Sequence, residues 1–564
     1  MRESTRVYIS EIQFNDSSTI DVAQNDIVVF VGPNNAGKSR ALEDLYQHSG
    51  DSSKGVVVSS AKLTKTEGSL FPILSTFQSR DEREPYIHFM YNDNVQIMYH
   101  VEQGDEAFYR MSGYGQYRGI FMAKLSTQER LSICYPAQVI NRTVANKNPI
   151  QTAAYNYKYG KWLSDSFRKA FGKDLIANTH NGATIPLCIG PNVKLEDIYE
   201  NEQEREDAYA KILEKYPHVH DQGDGIKSFT GILLYLMKDH YNTFLIDEPE
   251  SFLHPPQARV MGQIIGHTLR DYQQAFISTH SEEIIKGLLD ECPERLKIVR
   301  ITRKDDSNSF RVLNNEKIQS VLGDPLLKYS NILSGLFHNK VVLCESDSDC
   351  RFYSVIENYI KQIDSQYSET LFIHCGGKHR MAKTATALRE LNIDVRLIPD
   401  IDILNDEIIF RKTVEAFGIN WMDMEKDYRI LSQNLHAKNE KLIRQQTKEE
   451  LLRVIEANTE KELSKDEIKR IREIVSTESK WNILKRAGKA AIPAGDATKA
   501  YDRMEQKLRK HHIYIVPVGE LEGFVKEIGG HGPDWANCVL EEYPDLGSDV
   551  YKDVKAFIGE TVCT

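Results

Sequence analysis

Gly32-Pro33-Asn34-Asn35-Ala36-Gly37-Lys38-Ser39 decides how the rest of this chain is read. It fits the pattern G-x-x-x-x-G-K-[ST] in full. The apolar run Ile27–Val31 precedes it, and Arg40–Gln47, with Leu42, Leu45 and Tyr46 on one face, follows as a predicted helix. Strand, glycine loop and helix are the context in which backbone N–H groups and a helix N-terminus hold phosphates. The cofactor expected here is ATP with Mg²⁺. Gly32, Asn34, Asn35, Ala36 and Gly37 cradle the phosphates, Lys38 reaches the β- and γ-phosphates, and Ser39 ligates the metal.

Outward from the loop, size and composition narrow the class. A chain of 564 residues exceeds one hydrophobic core and predicts more than one domain. With 41% apolar and 27% charged residues the composition is that of a globular protein, and no apolar run reaches membrane-spanning length. No leader is read in Met1-Arg2-Glu3-Ser4, and eight scattered cysteines without a C-x-x-C fit a reducing, cytoplasmic setting. The net charge of −11 argues against a surface coated in positive charge. A local basic groove for nucleic acid is still compatible with it.

Along the chain, Val7–Phe14 and Thr19–Val22 read as opening strands. Val56–Val58, Tyr86–Tyr91 and Val95–Val101 predict an antiparallel β layer beside the main sheet. Residues 124–216 read as mixed, then helical, with a charged run over 195–214. Gly223–Ser228 forms a glycine-rich turn opening an apolar helix, Phe229–Met237. Thr243–Ile246 is a buried strand ending in Asp247-Glu248, and helix Gln257–Arg270 follows. Ala275–Ser278 is a strand ending in Thr279-His280. A strand-end Asp-Glu suits a phosphate loop: Asp247 holds Mg²⁺ and Glu248 acts on the attacking water. His280 is placed to sense the γ-phosphate, and His254 to communicate across a subunit interface.

The pattern resets near residue 336. Val341–Cys344, Leu371–His374 and Asp394–Ile398 read as buried strands, with helix Cys350–Gln362 among them. Carboxylates follow: Glu345 and Asp349 after the first strand, Asp400 and Asp402 after the third, and Glu522 behind a strand at Ile513–Val518. Acids gathered at one sheet edge repel one another unless cations neutralise them, and hard oxygen ligands suit Mg²⁺ or Mn²⁺. Asp347 and Asp406 are read as spare carboxylates. Lys378, after Gly376-Gly377, is read as part of a turn or as a contact to a DNA phosphate. Residues 430–512 carry 19 Lys and Arg against 13 Asp and Glu, a basic helical stretch in an acidic chain. The expected architecture is α/β: a mixed-sheet head with an antiparallel layer over 1–335, then a second α/β domain over 336–564 with a helical insert at about 425–512.

The order of phosphate loop, glycine-rich turn, Asp-Glu and His resembles the ABC-type ATPase heads of the RecF, SMC and Rad50 kind. That resemblance makes Gly223–Ser228 the signature segment, with Gly223, Gly225 and Ser228 touching ATP on a second subunit, and so implies a homodimer or higher homo-oligomer. The segment departs from L-S-G-G, no long coiled coil is present, and the glutamine of the Q-loop stays open between Gln78 and Gln138. Glu345-x-x-x-Asp349 followed by Asp400-x-Asp402 resembles the Toprim fold. Head plus Toprim resembles the OLD (overcoming lysogenization defect) family of nucleases, which includes Gabija nuclease subunits and retron-associated effectors. The resemblance implies an ATP-controlled, divalent-metal-dependent DNA endonuclease or nickase in antiphage defence. It also implies a defence partner, either a helicase-like protein or a retron reverse transcriptase with its RNA-DNA. Glu345 and Asp400 take catalytic as well as metal roles, and a late lysine, Lys552 or Lys555, joins them. The competing readings are an ATPase scaffold that holds or releases a partner through a Toprim-like domain, and a topoisomerase- or primase-like enzyme.

Overall fold

The computed structural model describes residues 4–563, apart from 51–54, 84, 93–94, 142–147, 194–199, 305–306, 314–315, 317, 319–330, 437–443, 457–462, 465–466, 469 and 472–479. Part of the charged run at 195–214 and part of the basic stretch lie outside the described residues. The chain divides into two units, Met1–Ser320 and Val321–Thr564.

The first unit is built on a six-stranded sheet. Its order is Ser307–Leu313, Leu296–Lys304, Ile27–Val31, Gln274–Ser278, Thr243–Asp247 and Met122–Leu125. All neighbours are parallel except the first pair. Ile27–Val31 is buried at every residue, as a strand covered on both faces must be. Asp247 pairs with Ser278, and Ser278 with Phe30, so three strands end flush. That register brings the phosphate loop, Asp247-Glu248 and Thr279-His280 to one edge of the sheet. An antiparallel sheet of Thr19–Asp21, Val7–Phe14 and Val58–Lys65, and another of Gln78–Arg83, Tyr86–Asn92 and Val95–His100, supply the expected β layer. The strand expected over Val56–Val58 starts at Val58, because the Val56, Val57 and Val58 amides all donate to the Asp44 carboxylate.

The second unit holds a parallel three-stranded sheet, Thr370–His374, Lys340–Cys344 and Asp394–Ile398 in that order. Val341–Cys344 in the middle strand is fully buried, and helices Asp347–Ile363 and Lys552–Thr561 pack on each other beside it. Ile513–Val518 is not a strand as expected: only Ile513 forms a bridge, to Leu397. The stretch nonetheless tracks the edge strand. Tyr514 N donates to Leu397 O (2.8 Å), Val516 N to Pro399 O (3.0 Å), and Ile401 N to Gly519 O (2.9 Å). It therefore delivers Glu520 and Glu522 toward the end where Asp400 sits.

The basic insert is partly core. Helices Glu425–His436 and Asp496–Lys510 pack together, burying Leu431, Tyr501, Met504 and Leu508. Among the described residues no helix is long and apolar enough to cross a membrane.

Candidate active sites: a phosphate loop and a carboxylate cluster

The loop folds around its own lysine. Lys38 Nζ donates to the carbonyls of Gly32 (2.8 Å) and Pro33 (2.7 Å), and the residue is 5% exposed. Two glycines are obligatory for this. Gly32 has φ +144°, and a Cβ there would lie 1.9 Å from the Ile301 carbonyl oxygen. Gly37 has φ +101° and caps helix Lys38–His48 without a side-chain bond, leaving the helix's first amides free. Ala36 is buried, with its carbonyl accepting from Asn308 Nδ2 (2.8 Å), while Asn34, Asn35 and Ser39 are exposed. Asn35 adopts φ +58°, which asparagine tolerates.

Opposite the loop, Ser278 Oγ donates to Asp247 Oδ1, and Arg130 donates to the Asp247 carbonyl. Glu248 stands at φ +46° and turns its carboxylate to His280, with Nε2 3.2 Å from Oε1. The His280 bond, more than any other contact, holds the Glu248 carboxyl below its usual range. Glu250, which the sequence did not single out, accepts from the His280 amide at 2.6 Å and so seats that histidine. Burial raises its pKa, and its second oxygen has no hydrogen-bond partner. Arg130 is fully buried beneath this edge; burial lowers its pKa, opposed by Asp247 and Glu250. No local pattern marks Arg130's place at this edge, because the Asp247 carbonyl it meets lies far along the chain.

The glycine-rich turn is the first turn of a helix, Asp224–Leu236, rather than a loop before Phe229. Gly223 and Asp224 are exposed, and Gly225 packs where a Cβ would meet the Phe252 carbonyl at 2.5 Å. Ser228 is a correction. It lies one turn inside the helix, fully buried, and cannot face a second subunit's nucleotide in this conformation. His254 is exposed and occupies the N-cap of helix Pro255–Thr268. Gln138 lies on a small separate ladder with Thr184, and the Gln78 side chain lies outside the described ones.

In the second unit, parallel strands carry their C-terminal carboxylates to one end, where ligands gather in open α/β sheets. Ser346 caps helix Asp347–Ile363 through a reciprocal box: its amide donates to Asp349 Oδ2 (2.8 Å), and the Asp349 amide to Ser346 Oγ (3.3 Å). Asp349 is thus oriented by the helix start and is 7% exposed. The acids sense one another. Burial, then Asp349, Glu345 and Asp402, raises Asp400 well above the usual range. Burial, then Asp402, raises Glu345, and burial raises Asp349. Glu345 Oε2 and Asp402 Oδ1 are buried with no hydrogen-bond partner. The group is looser than expected at Glu522, whose Oε1 accepts from the Gly532 amide (2.7 Å) and lies 3.5 Å from His531 Nδ1. Among the described residues of this unit, the trio with ligand atoms all within 4.8 Å of one another is Glu520, Glu522 and His531.

Two lysines attend the cluster, and neither is one of the late pair. Lys378 Nζ lies 3.0 Å from Asp402 Oδ2. Lys485, from the insert, lies 3.2 Å from Glu520 Oε2. Burial works against its charge, but Glu520, Asp402 and Asp400 outweigh burial and raise its pKa. Its backbone is locked in place: Gly519 at φ +106° would put a Cβ 1.9 Å from the Lys485 carbonyl, and Lys489 N donates to Pro517 O (2.8 Å). Lys555 instead donates to the carbonyls of Leu546, Gly547 and Ser548 at 3.0–3.1 Å, closing a turn, and Lys552 is exposed at the start of the same helix. Asp347 pairs with Arg351, and Asp406 caps helix Glu407–Ala416 through the Ile408 and Ile409 amides.

Comparison with known proteins agrees with this division. An AAA domain family, described as putative AbiEii toxin, Type IV TA system, matches residues 164–286. The overcoming lysogenization defect protein-like TOPRIM domain matches residues 336–402. The Old nuclease of Escherichia phage P2 is 22% identical over 175 residues, 30% of this chain and 29% of that protein. The aligned stretch thus spans under a third of the relative's length. Among solved structures, an Smc head with an extended coiled coil, bound to the C-terminal domain of ScpA and derived from Pyrococcus furiosus, aligns at 12% identity. It covers 56% of this chain and 99% of that one, with TM-score 0.31. The SMC head domain from Thermotoga maritima gives 13% identity, 56% and 100% coverage and TM-score 0.28. The AAA-domain match falls in the first unit, which carries the phosphate-loop edge, and the OLD-like TOPRIM match falls in the second, which carries the strand-end carboxylates, so this α/β chain is similar to an ATPase domain in one unit and to an OLD-like TOPRIM domain in the other.

Proposed function

We propose that the protein is an ATP-controlled DNA endonuclease or nickase that uses divalent metal and serves antiphage defence. The observation that supports this most is the carboxylate cluster. Glu345, Asp349, Asp400 and Asp402 lie at one strand-end; burial and neighbouring acids favour the protonated forms of Glu345, Asp349 and Asp400, and Glu345 Oε2 and Asp402 Oδ1 are unpartnered. Buried acids in that condition fit a hard cation, Mg²⁺ or Mn²⁺, as the missing partner. Glu345, Asp349, Asp400, Asp402 and Glu522 are the residues that would hold it. Bound there, the cation would polarise a phosphodiester and lower the pKa of water. Lys485 and Lys378 flank the acids and would bind the scissile strand's phosphates, the role first sought in Lys552 and Lys555.

In the head, the loop amides and Lys38 bind ATP phosphates, Ser39 and Asp247 hold Mg²⁺, and Glu248 takes the proton of the attacking water. His280 orients Glu248 and meets the γ-phosphate. Gly223 and Gly225, at the exposed end of their helix, complete the site of a second copy, so ATP binding favours a head dimer. The domain division proposed is 1–335 and 336–564, in a cytoplasmic protein.

Purified protein incubated with supercoiled, linear and single-stranded DNA tests this. Cleavage should require Mg²⁺ or Mn²⁺, fail in EDTA, and change with ATP. Intact DNA under every metal and nucleotide condition contradicts the proposal.

A further inference from the structure

A second constellation lies in the first unit, just ahead of helix Asp224–Leu236. His218 is extended (φ −85°, ψ 145°) and pairs by an isolated bridge with Cys188; Val219–Asp221 then form one 3₁₀ turn. Val219 is fully buried and pins the turn, and Ile189 N donates to Pro217 O at 2.9 Å. The buried Val219 between them sends both imidazoles to the same side. Their rings are 5.2 Å apart at 24°. Asp221 faces both: Oδ2 is 3.8 Å from His218 Nδ1, and Oδ1 is 3.6 Å from His220 Nε2. Separations of that size are too long for hydrogen bonds. One ligand atom from each of the three lies within 4.8 Å of the others. A tetrahedral ion with bonds of about 2.0–2.2 Å holds its ligand atoms roughly 3.3–3.6 Å apart, so a small closure of the trio suffices.

We infer that His218, His220 and Asp221 form a transition-metal site. Two imidazoles and one carboxylate suit Zn²⁺ and its late first-row neighbours, unlike the all-oxygen set of the second unit, which suits Mg²⁺. Three protein ligands leave the fourth position open. The Asp221 side chain is 66% exposed, so that position faces solvent. A metal here ties strand Leu187–Ile189, through the bridge at Cys188, to the turn that leads into Gly223.

The test uses the full chain, stripped with chelator and dialysed against Zn²⁺ in excess Mg²⁺. Metal content is then measured by atomic emission. Wild type should retain one equivalent of Zn²⁺ more than His218→Gln/His220→Gln, with the variant still binding ATP. Asp221→Ala changes an exposed side chain that folding does not depend on, and it should lose the same equivalent on dilution. Co²⁺-loaded wild type should show the intense visible bands of a nitrogen-ligated, low-coordinate ion, absent from both variants. Equal Zn²⁺ content in wild type and variants, or Co²⁺ spectra that do not differ, overturns the inference.

Discussion

The two strand-end sites settle their charges in opposite ways. At the phosphate-loop edge three charged side chains already have protein partners: Lys38 lies on loop carbonyls, Asp247 on Ser278, and Glu248 on His280, with one oxygen of the buried Glu250 left over. At the carboxylate edge the acids repel one another, and two of their buried oxygens have no partner. The first edge is preorganised to receive an anion and its counter-ion. The second gathers buried carboxylates whose charged forms burial disfavours, which is why the proposed function assigns it a divalent cation. The same fold principle, parallel strands ending together, thus builds two sites of opposite electrostatic need.

The largest effect expected from that contrast is at Asp400. Asp400→Asn should abolish DNA cleavage, by on the order of 10³-fold or more, because metal stabilisation of the transition state is worth several kcal/mol. Plasmid nicking and phosphate release from ATP measured on the same preparation check it; ATP hydrolysis should be unchanged. Next is the opposite edge. Glu248→Gln should slow ATP hydrolysis by about 10²–10⁴-fold while nucleotide binding persists, and wild-type turnover would remove Glu248 from its assigned role.

Lys485 sharpens the comparison, since it brings positive charge to the acidic edge from far along the chain. Lys485→Ala should cost cleavage roughly 10²–10³-fold, the scale for losing one charge-stabilising donor. Gly519→Ala, which would clash with the Lys485 carbonyl, should mimic it without touching ATP hydrolysis. Single-turnover cleavage rates separate these variants from wild type.

Smaller still is a stability effect with a defined sign. Glu345, Asp349 and Asp400 have folded pKa values raised above the ordinary 4.5, 3.8 and 3.8. Folding therefore favours their protonated forms. The stability they contribute is full below those ordinary values and is lost as pH rises through the raised ones. In EDTA, Asp400→Asn should melt above wild type at about pH 7.5, and the gap should narrow toward about pH 5. Calorimetry reads it; a variant that melts lower at neutral pH would show the buried charge is already compensated. The smallest effect belongs to Lys555→Ala, which should leave cleavage intact and lower stability by about 1 kcal/mol through its lost carbonyl contacts.

Contiguity explains what could be read from the sequence. The phosphate loop is one unbroken stretch, and Glu345, Asp247 and Asp400 each follow a short apolar strand, so the parallel-sheet rule places them without coordinates. The contact of Arg130 with the Asp247 carbonyl and that of Lys485 with Glu520 needed the fold, because those partners lie far off in the chain. Ser228 was misplaced because a glycine-rich run reads as a loop, whereas here its tight packing admits a helix one turn earlier. The contacts of Lys555 with the carbonyls of Leu546, Gly547 and Ser548 were not legible, because a lone helical lysine carries no sign of its direction. The strand expected at Ile513–Val518 is reduced to a bridge at Ile513, yet its backbone still follows Asp394–Ile398, so the acid motif behind it arrives at the right edge.

The most direct measurement is a paired assay of Glu345→Ala beside wild type. Supercoiled plasmid in Mg²⁺ reads cutting, and phosphate release from ATP reads the head. Wild type should nick or linearise the plasmid and stop in EDTA, while Glu345→Ala hydrolyses ATP normally and leaves the plasmid supercoiled. A Glu345→Ala protein that cuts as wild type does would contradict the account and leave the second unit as a scaffold controlled by the ATPase.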